Sequence, residues 1–190
     1  MAKVKLHRAV FLDRDGTINE EVEYISRPDQ IRVIPSSAEA IRELNGNGLK
    51  VVVVTNQAGV AYGYYSEEDL KVLHEELIGQ LSRYGARLDA IYYCPHHPEG
   101  KVERYRMICD CRKPGIGMLL KAARDLKIDL SASYMIGDKL SDIGAGKKAG
   151  CFTILVETGF GRGEIAKGIP PELTPDAIVP ELKWALPYIF

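Results

Sequence analysis

AVFLDRDGTIN, residues 9–19, is the stretch of the sequence that decides the fold. Its four apolar residues, 9–12, run directly into a carboxylate, which predicts a short strand buried on both faces. Asp13 then lies at the carboxyl end of that strand, and Gly16 allows a sharp turn after it. Asp13 and Asp15 repel each other unless they share a cation or a proton. The stretch therefore predicts a functional site, although a surface loop with ordinary acidic residues would have a similar composition.

Apolar runs alternate with helical patterns along most of the chain, so the sequence predicts βαβ units with right-handed crossovers. We expect an α/β fold with a doubly wound, mainly parallel, Rossmann-like sheet and helices on both faces. Strands are predicted at 9–12, 49–54, 90–93, 134–136 and 152–156, and helices at 36–45, 66–84, 117–126 and 141–149. Residues 20–34 and 94–114 have the composition of loops. The tail from Gly159, rich in glycine and proline, is expected to add a strand at 177–179 and a helix near 182–186. No domain boundary is evident, so residues 1–190 are expected to form one domain.

Composition and charge narrow the classes of function. The 190 residues carry 25 Lys and Arg against 26 Asp and Glu, a formal net charge of −1. The scattered cations do not form the basic stripe of a nucleic-acid-binding protein, and no apolar stretch approaches the ~20 residues of a membrane span. Residues 1–6 lack the apolar core of a signal peptide. We therefore expect a cytoplasmic monomer that binds a small molecule, with no nucleic-acid or membrane partner.

Polar residues follow several of the predicted strands at the point where each strand ends. In parallel sheets these carboxyl ends share one edge, and ligands bind there. Asp13, Asp15 and Asp138 would meet at this edge, and two unit charges ~4 Å apart cost about 4 kcal/mol at an effective dielectric of ~20. Oxygen ligands with bound water favour Mg²⁺ as the cation that removes this cost. With the Thr55 hydroxyl and the Lys113 cation, the set suits phosphoryl transfer to a carboxylate.

The motifs at residues 13–17, 55, 113 and 137–142 resemble, in order and spacing, the four motifs of the haloacid dehalogenase-like (HAD) phosphatases. The resemblance implies that Asp13 is the nucleophile, and that Asp15 is the general acid for the leaving group and then the general base for water. It also implies that Asp13, the main-chain carbonyl of Asp15 and Asp138 hold Mg²⁺. Thr55 and Lys113 would stabilise the transferring phosphoryl group.

Three cysteines and one histidine form a second constellation, in a loop at about 94–111 that is inserted after the third predicted strand. One imidazole and three thiolates suffice for a closed tetrahedral zinc site, here Cys94, His96, Cys109 and Cys111. We expect a structural Zn²⁺ that orders this loop rather than a coincidental cluster, and His97 is the weaker candidate ligand. Cys151 opens an apolar run and is expected in the core.

The sequence of the zinc loop resembles one particular family among the HAD phosphatases. Residues 92–100, 109–114 and 117–119 resemble the D-glycero-D-manno-heptose 1,7-bisphosphate 7-phosphatase family, and the similarity extends over nearly the whole chain. It implies hydrolysis of the C7 phosphate through an aspartyl-phosphate, as a step towards nucleotide-activated heptose for lipopolysaccharide or surface glycans. No large cap domain is expected.

Substrate contacts are expected from the catalytic residues and from the segments around them. Beyond Asp13, Asp15, Thr55 and Lys113, the expected contacts are Arg14, Glu21, Val22, Glu23, Tyr24, Asn56, Gln57, Ala58 and Lys139. The cation next to Lys113, Arg112, is the best placed partner for the distal phosphate of a bisphosphate. A solvated Arg112, or one paired with Glu103, is the alternative.

The chain departs from the heptose family near the expected sugar site. Ala58-Gly59 stands where the family has a serine–glycine pair, Tyr62-Gly63 where it often has arginine before glycine, and Glu23 where a glycine precedes the aromatic residue. A histidinol-phosphate phosphatase shares the motifs and a similar zinc loop, but the long segment 97–108 favours the heptose family. A polynucleotide 3′-phosphatase lacks the zinc loop and needs a basic groove. A zinc-based binding module would not need the full set of catalytic carboxylates.

Overall fold

The described part of the chain, residues 6–190 of a computed structural model, is built on a six-stranded sheet in which every paired strand is parallel. The strands are β1 Ala9–Leu12, β2 Lys50–Asn56, β3 Ala90–Cys94, β4 Tyr134–Gly137, β5 Phe152–Val156 and β6 Ala177–Val179. Their order in the sheet is β3-β2-β1-β4-β5-β6. The chain therefore changes direction across the sheet between β1 and β4, where ligands bind in open parallel sheets.

Alternate residues of the central strands point to opposite faces of the sheet, and both faces are covered. Val10, Leu12 and Val53 belong to one buried cluster, whereas Phe11 and Val52 belong to the other. Helices α1 Pro35–Gly46 and α3 Glu67–Arg83 contribute to the first cluster, and α4 Gly117–Leu126 and α5 Leu140–Ala149 contribute to the second. The predicted doubly wound sheet with helices on both faces is confirmed.

Two short helices were not expected from the sequence. Helix α2, Gly59–Tyr62, has four residues, too few to show a helical period, and α6, Gly161–Lys167, lies in the glycine-rich tail. The helix expected near 182–186 is present as a 3₁₀ helix, Leu182–Tyr188, and it contains Pro187. Proline removes a backbone donor and clashes with the preceding turn of an α-helix.

The segment after β3 is irregular, as expected, apart from a 3₁₀ turn at Glu103–Tyr105. Its backbone is attached to α2 by a hydrogen bond from the Val102 N–H to the Ala61 carbonyl, 2.9 Å long. This places the cysteine-rich loop beside the carboxyl edge of the sheet. Within residues 6–190, no helix has the length and apolar character needed to cross a bilayer. The expectation about a signal peptide concerns residues 1–6, of which all but Leu6 lie outside the described residues.

Candidate active site

Three carboxylates meet at the carboxyl edge of the sheet. Asp13 follows β1, Asp138 follows β4, and Asp142 lies in the first turn of α5. One oxygen of each lies within 4.8 Å of the others, and all three side chains are buried. Gly16 and Gly159 leave room for this cluster, because a Cβ at either position would collide with the Asp138 carboxylate. The close approach explains why the first motif needs glycine at position 16, where φ is +77°.

Charge crowding makes this cluster a candidate cation site. Burial, with the nearby charges of Asp13 and Asp142, raises the pKa of Asp138 to about 8. Burial also raises the pKa of Asp142 to about 6, although the Lys113 cation opposes this shift. Asp138 Oδ2 accepts a hydrogen bond from the Phe160 N–H at 2.9 Å, whereas Oδ1 is buried without a hydrogen-bond partner. A hard divalent cation such as Mg²⁺ fits this set, because it would bind the free oxygen and relieve the repulsion.

A further carboxylate, Asp142, lies beside the two predicted side-chain ligands of the cation, Asp13 and Asp138. The structure groups Asp142 with Asp13 and Asp138, whereas the prediction paired those two with the main-chain carbonyl of Asp15. The Asp15 side chain points away from the cluster into a separate hydrogen-bond network. The contribution of its carbonyl oxygen stays a prediction.

Lys113 brings a buried cation to the nucleophile candidate. Its Nζ lies 3.0 Å from Asp13 Oδ1 and also pairs with Asp142. Burial opposes the charged form, but the charges of Asp13 and Asp142 outweigh it, so the pKa of Lys113 is raised. The Asn56 side chain holds the Lys113 backbone, accepting from its N–H at 2.9 Å and donating to its carbonyl at 3.1 Å. The predicted cation therefore lies where a phosphoryl group bound to Asp13 would need it.

Only one of the two carboxylate oxygens of Asp13 contacts other described residues through a hydrogen bond or an ion pair. Oδ1 accepts from the Arg14 N–H at 2.8 Å and pairs with Lys113, while no hydrogen bond of the described residues uses Oδ2. The carboxylate is thus fixed through Oδ1, and Oδ2 is the oxygen available for attack. Thr55, at the end of β2, is buried on the same edge of the sheet.

Asp15 is held by four hydrogen bonds in a buried network. Arg14 donates from Nε to Oδ1 at 2.9 Å and from Nη2 to Oδ2 at 2.8 Å, and Asn19 and Gln57 donate one bond each. Burial opposes ionisation, but the Arg14 guanidinium and these donors outweigh it, so the pKa of Asp15 is lowered. Arg14 is only 1% exposed. Its side chain therefore supports Asp15 from behind instead of reaching into the cavity as a substrate contact.

A cavity of about 290 Å³ opens above Asp13. Most of the expected substrate contacts line it, namely Asp13, Asp15, Glu21, Glu23, Tyr24, Thr55, Asn56, Gln57, Ala58, Arg112, Lys113 and Lys139. The side chains of Arg14 and Val22 do not line this cavity, and Val22 is exposed. Five lining residues are not among the expected substrate contacts, namely Ile25, Gly59, Tyr65, Ser141 and Phe160, and of these only Gly59 was named from the sequence, as part of the pair Ala58-Gly59. Only Ser141, between Lys139 and Asp142 of the fourth motif, carried a signal that could have been used.

Two further cations, Arg112 and Lys139, line the cavity. Arg112 donates from Nη1 to the His96 carbonyl at 3.3 Å, and no ion pair with Glu103 is found among the described residues. Lys139 lies 3.6 Å from Glu21 and 4.3 Å from the centre of the Phe160 ring. Burial opposes its charged form, but the charges of Asp138, Asp13 and Glu21 outweigh it and raise the pKa of Lys139.

Cys94, His96, Cys109 and Cys111 form the second group of potential metal ligands found in residues 6–190. Their sulfurs are 3.0–3.5 Å apart, and His96 Nδ1 lies 3.4 Å from Cys111 Sγ. Two thiolates bound to one tetrahedral zinc ion are about 3.8 Å apart, so a small expansion would admit the ion. Hydrogen bonding from Cys94 lowers the pKa of Cys111 to about 5, which favours the thiolate that binds metal. His97 is outside this cluster, and its ring nitrogen contacts the Tyr62 hydroxyl instead.

Comparison with known proteins then identifies relatives of this chain. The HAD-hydrolase-like family model matches residues 110–185. The chain is 49% identical over 152 residues, 80% of each chain, to D-glycero-beta-D-manno-heptose-1,7-bisphosphate 7-phosphatase of Escherichia coli K12. It is 44% identical over 184 residues to the Haemophilus ducreyi protein of the same name, which covers 96% of this chain and 98% of that one. The chain belongs to this heptose-bisphosphate phosphatase family.

A solved structure within the same group supports the architecture. The D,D-heptose 1,7-bisphosphate phosphatase from B. bronchiseptica, complexed with magnesium and phosphate, matches with a TM-score of 0.84 at 34% identity. The match covers 96% of this chain and 97% of that chain. Membership of the heptose-bisphosphate phosphatase family confirms the expected HAD fold and the phosphatase class of enzyme. The roles assigned to individual residues stay predictions.

Proposed function

We propose that the protein is a Mg²⁺-dependent phosphatase that removes the C7 phosphate of D-glycero-D-manno-heptose 1,7-bisphosphate and releases heptose 1-phosphate. This product would supply nucleotide-activated heptose for lipopolysaccharide core or surface glycans. One observation carries the proposal. In a chain that is 44% identical over 96% of its length to a heptose-bisphosphate phosphatase, Asp13 belongs to a buried carboxylate cluster, pairs with the buried Lys113 and lines a cavity.

The first chemical step is transfer of the phosphoryl group to Asp13. Oδ2 attacks phosphorus, the bond between phosphorus and the C7 oxygen breaks, and the leaving oxygen takes a proton from Asp15. In the free protein Arg14 keeps Asp15 ionised, but an incoming phosphate dianion raises the pKa of a neighbouring carboxylate. Substrate binding thus shifts Asp15 towards the protonated form that the first step needs.

The second step is hydrolysis of the aspartyl-phosphate. Asp15, now ionised, takes a proton from water, whose oxygen attacks phosphorus and releases Asp13 and inorganic phosphate. Thr55 and Lys113 stabilise the negative charge of the transferring group in both steps. Asp13, the Asp15 carbonyl and Asp138 would hold Mg²⁺ near Asp142, and the bound ion would neutralise the charge of the phosphoryl oxygens.

We also propose that Cys94, His96, Cys109 and Cys111 bind one structural Zn²⁺. The ligand set contains three sulfurs and one imidazole nitrogen within 4.8 Å of one another, and no open position for chemistry is expected in such a site. The zinc-bound segment ends at Arg112, so the metal would fix the loop that carries the cations Arg112 and Lys113. Arg112 would bind the distal, C1 phosphate of the substrate.

The remaining proposals concern the whole protein. Residues 1–190 would form one domain, because the sheet takes strands from both ends of the described range. We expect this domain to act as a monomer. The four cysteines are free thiols in the structure, as is usual for proteins of a reducing compartment such as the cytoplasm.

Steady-state kinetics on a panel of phosphate esters test the proposed function. The panel contains heptose 1,7-bisphosphate as both anomers, histidinol phosphate, glycerol 3-phosphate and p-nitrophenyl phosphate, and phosphorus NMR identifies which phosphate is released. We expect kcat/KM to be highest for heptose bisphosphate, with release from C7 and complete dependence on added Mg²⁺. A higher kcat/KM for histidinol phosphate, or release from C1, would refute the proposal.

A further inference from the structure

The side-chain amide of Gln57 connects two of the proposed catalytic residues. Its Nε2 donates to Asp15 Oδ2 at 3.0 Å and to Thr55 Oγ1 at 2.9 Å. Its Oε1 accepts from the Tyr65 hydroxyl at 2.7 Å and from Arg14 Nη2 at 3.2 Å. Gln57 is only 2% exposed, so most of its amide is shielded from solvent. The amide thus has all four of its short contacts within a buried network.

Only one orientation of the Gln57 amide suits its surroundings. A flipped amide would place its NH₂ group against the Arg14 guanidinium, where two donors would face each other, and its oxygen against the Asp15 carboxylate, where two acceptors would face each other. The Tyr65 hydroxyl is the neutral donor that completes the correct arrangement. Burial raises the pKa of Tyr65 to about 12, so this hydroxyl stays a donor at neutral pH.

The position of Tyr65 depends on a glycine in the preceding helix. A Cβ at Gly59 would collide with the far edge of the Tyr65 ring, at the atoms next to and including the hydroxyl. Gly59 therefore lets the ring pass close to the backbone of α2 and reach Gln57. Neither residue belongs to the motifs that the sequence analysis singled out for catalysis.

We infer that Tyr65 is a positioning residue, which fixes the Gln57 amide so that its NH₂ group holds Asp15 in place for proton transfer to the leaving group. This inference rests on the proposed phosphatase function. Thr55 depends less on the amide, because its backbone is fixed in β2 opposite Tyr93 and its β-branched side chain is stiff. Asp15 directly precedes the turn at 16–18, where an isolated bridge to Asn19 holds its backbone, and side-chain donors determine where its carboxylate points.

The test compares substrates that need a general acid with one that does not. An alkyl phosphate such as a sugar phosphate has a poor leaving group, whereas p-nitrophenolate leaves without protonation. In Tyr65→Phe, kcat/KM for the best alkyl phosphate of the panel should fall about tenfold, the effect of one buried hydrogen bond, and its KM should change less than about twofold. This ratio reports only the steps up to release of the leaving group, so it excludes the second step, in which Asp15 acts as the base for every substrate. The same ratio for p-nitrophenyl phosphate should change less than about threefold. Tyr64→Phe is the matched control, because the neighbouring Tyr64 is 52% exposed and should keep wild-type rates.

Gly59→Ala tests the same hydrogen bond between Tyr65 and Gln57 without removing the Tyr65 hydroxyl. The added methyl group must displace the Tyr65 ring, so the same selective loss on alkyl phosphates is expected. If both changes act through the Tyr65–Gln57 hydrogen bond, their effects should not add. The rate of the double variant Gly59→Ala/Tyr65→Phe should then lie within about twofold of that of the slower single variant. An equal loss on both kinds of substrate in Tyr65→Phe, or no loss on either, would overturn the inference. A failure of the proposed function would show earlier, in the substrate preference of the wild-type protein.

A readout that needs no substrate comes from NMR of the side-chain amide. In the wild-type protein the Gln57 NH₂ protons should show slow exchange with solvent and a nuclear Overhauser effect to the Thr55 methyl group. Tyr65→Phe should speed the exchange and weaken that effect, while Tyr64→Phe should change neither. Unchanged Gln57 signals in Tyr65→Phe would overturn the inference, whatever the enzyme hydrolyses.

Discussion

The carboxylate cluster predicts an unusual dependence of stability on pH in protein freed of Mg²⁺. Burial raises the pKa of Asp138 to about 8 in the folded protein, against a value of 3.8 for the exposed side chain. Between about pH 4 and pH 8 the native state therefore binds a proton that the unfolded state does not bind. The contribution of Asp138 to stability is fully present below about pH 4 and is lost as the pH rises through about 8.

The change in the free energy of unfolding with pH follows from the binding of one proton to the native state. Each pH unit in this window lowers the free energy of unfolding by at most about 1.4 kcal/mol. The interval from about pH 6.5 to pH 7.5 isolates Asp138, because the pKa of Asp142, about 6, lies below this interval and the pKa of Asp138, about 8, lies above it. We therefore expect a loss of about 1 kcal/mol across this interval from Asp138. Asp138→Asn has nearly the same shape and no titrating carboxyl group, so it should lack this loss.

Urea denaturation followed by far-ultraviolet circular dichroism measures the difference between the two proteins at each pH. Dialysis against magnesium-free buffer prepares them, because a chelator would also threaten the proposed zinc site. Saturating Mg²⁺ should stabilise the wild-type protein more at pH 7.5 than at pH 6.5, since the ion competes with the proton. Identical pH slopes for the wild-type protein and Asp138→Asn would refute the reasoning.

Three further predictions concern the proposed chemistry. Asp13→Asn should lower turnover by several orders of magnitude with an unchanged circular dichroism spectrum, and near-wild-type rates would remove Asp13 as the nucleophile. Arg112→Ala should lower kcat/KM for heptose bisphosphate by about 1.5–3 kcal/mol in free-energy terms but leave kcat/KM for p-nitrophenyl phosphate nearly unchanged. An equal loss on both substrates would assign Arg112 to the reacting phosphate or to the fold. Elemental analysis should find about one zinc per chain. Cys109→Ser should lower the zinc content and make the loop sensitive to proteases. Full zinc content in both Cys109→Ser and Cys111→Ser would show that the ligands lie elsewhere.

The strands and the long helices could be predicted because their patterns are local. The apolar run at β1 shows burial on both faces directly, and α4 was predicted with its observed bounds, Gly117–Leu126. The short helices α2 and α6 could not be predicted, because contacts distant in sequence or glycine packing hold them. At the start of α6, for example, a Cβ on Gly161 would collide with the Val156 carbonyl.

The motifs predicted which strand ends carry the site, but not which side chains pair there. Sequence spacing brings Asp13, Asp15 and Asp138 to one edge, yet it gives no side-chain torsions. In the structure Arg14 turns inward and takes the Asp15 side chain out of the carboxylate cluster. Asp142, in the first turn of α5, occupies that place beside Asp13 and Asp138.

The departures of this chain from its family fall on two different parts of the site. Glu23 and Ala58 line the cavity, so differences there would act on a substrate bound in it directly. Tyr62 does not line it, and its hydroxyl lies 3.0 Å from His97 Nδ1 in the zinc loop. Its ring packs edge-on against Tyr24 at 5.9 Å, and Tyr24 has a left-handed φ of 53° directly after Glu23. Tyr62, where the family often has arginine, would therefore change how Tyr24 and the zinc loop are supported, and we expect any effect on sugar preference to act through these contacts rather than through direct contact with the substrate.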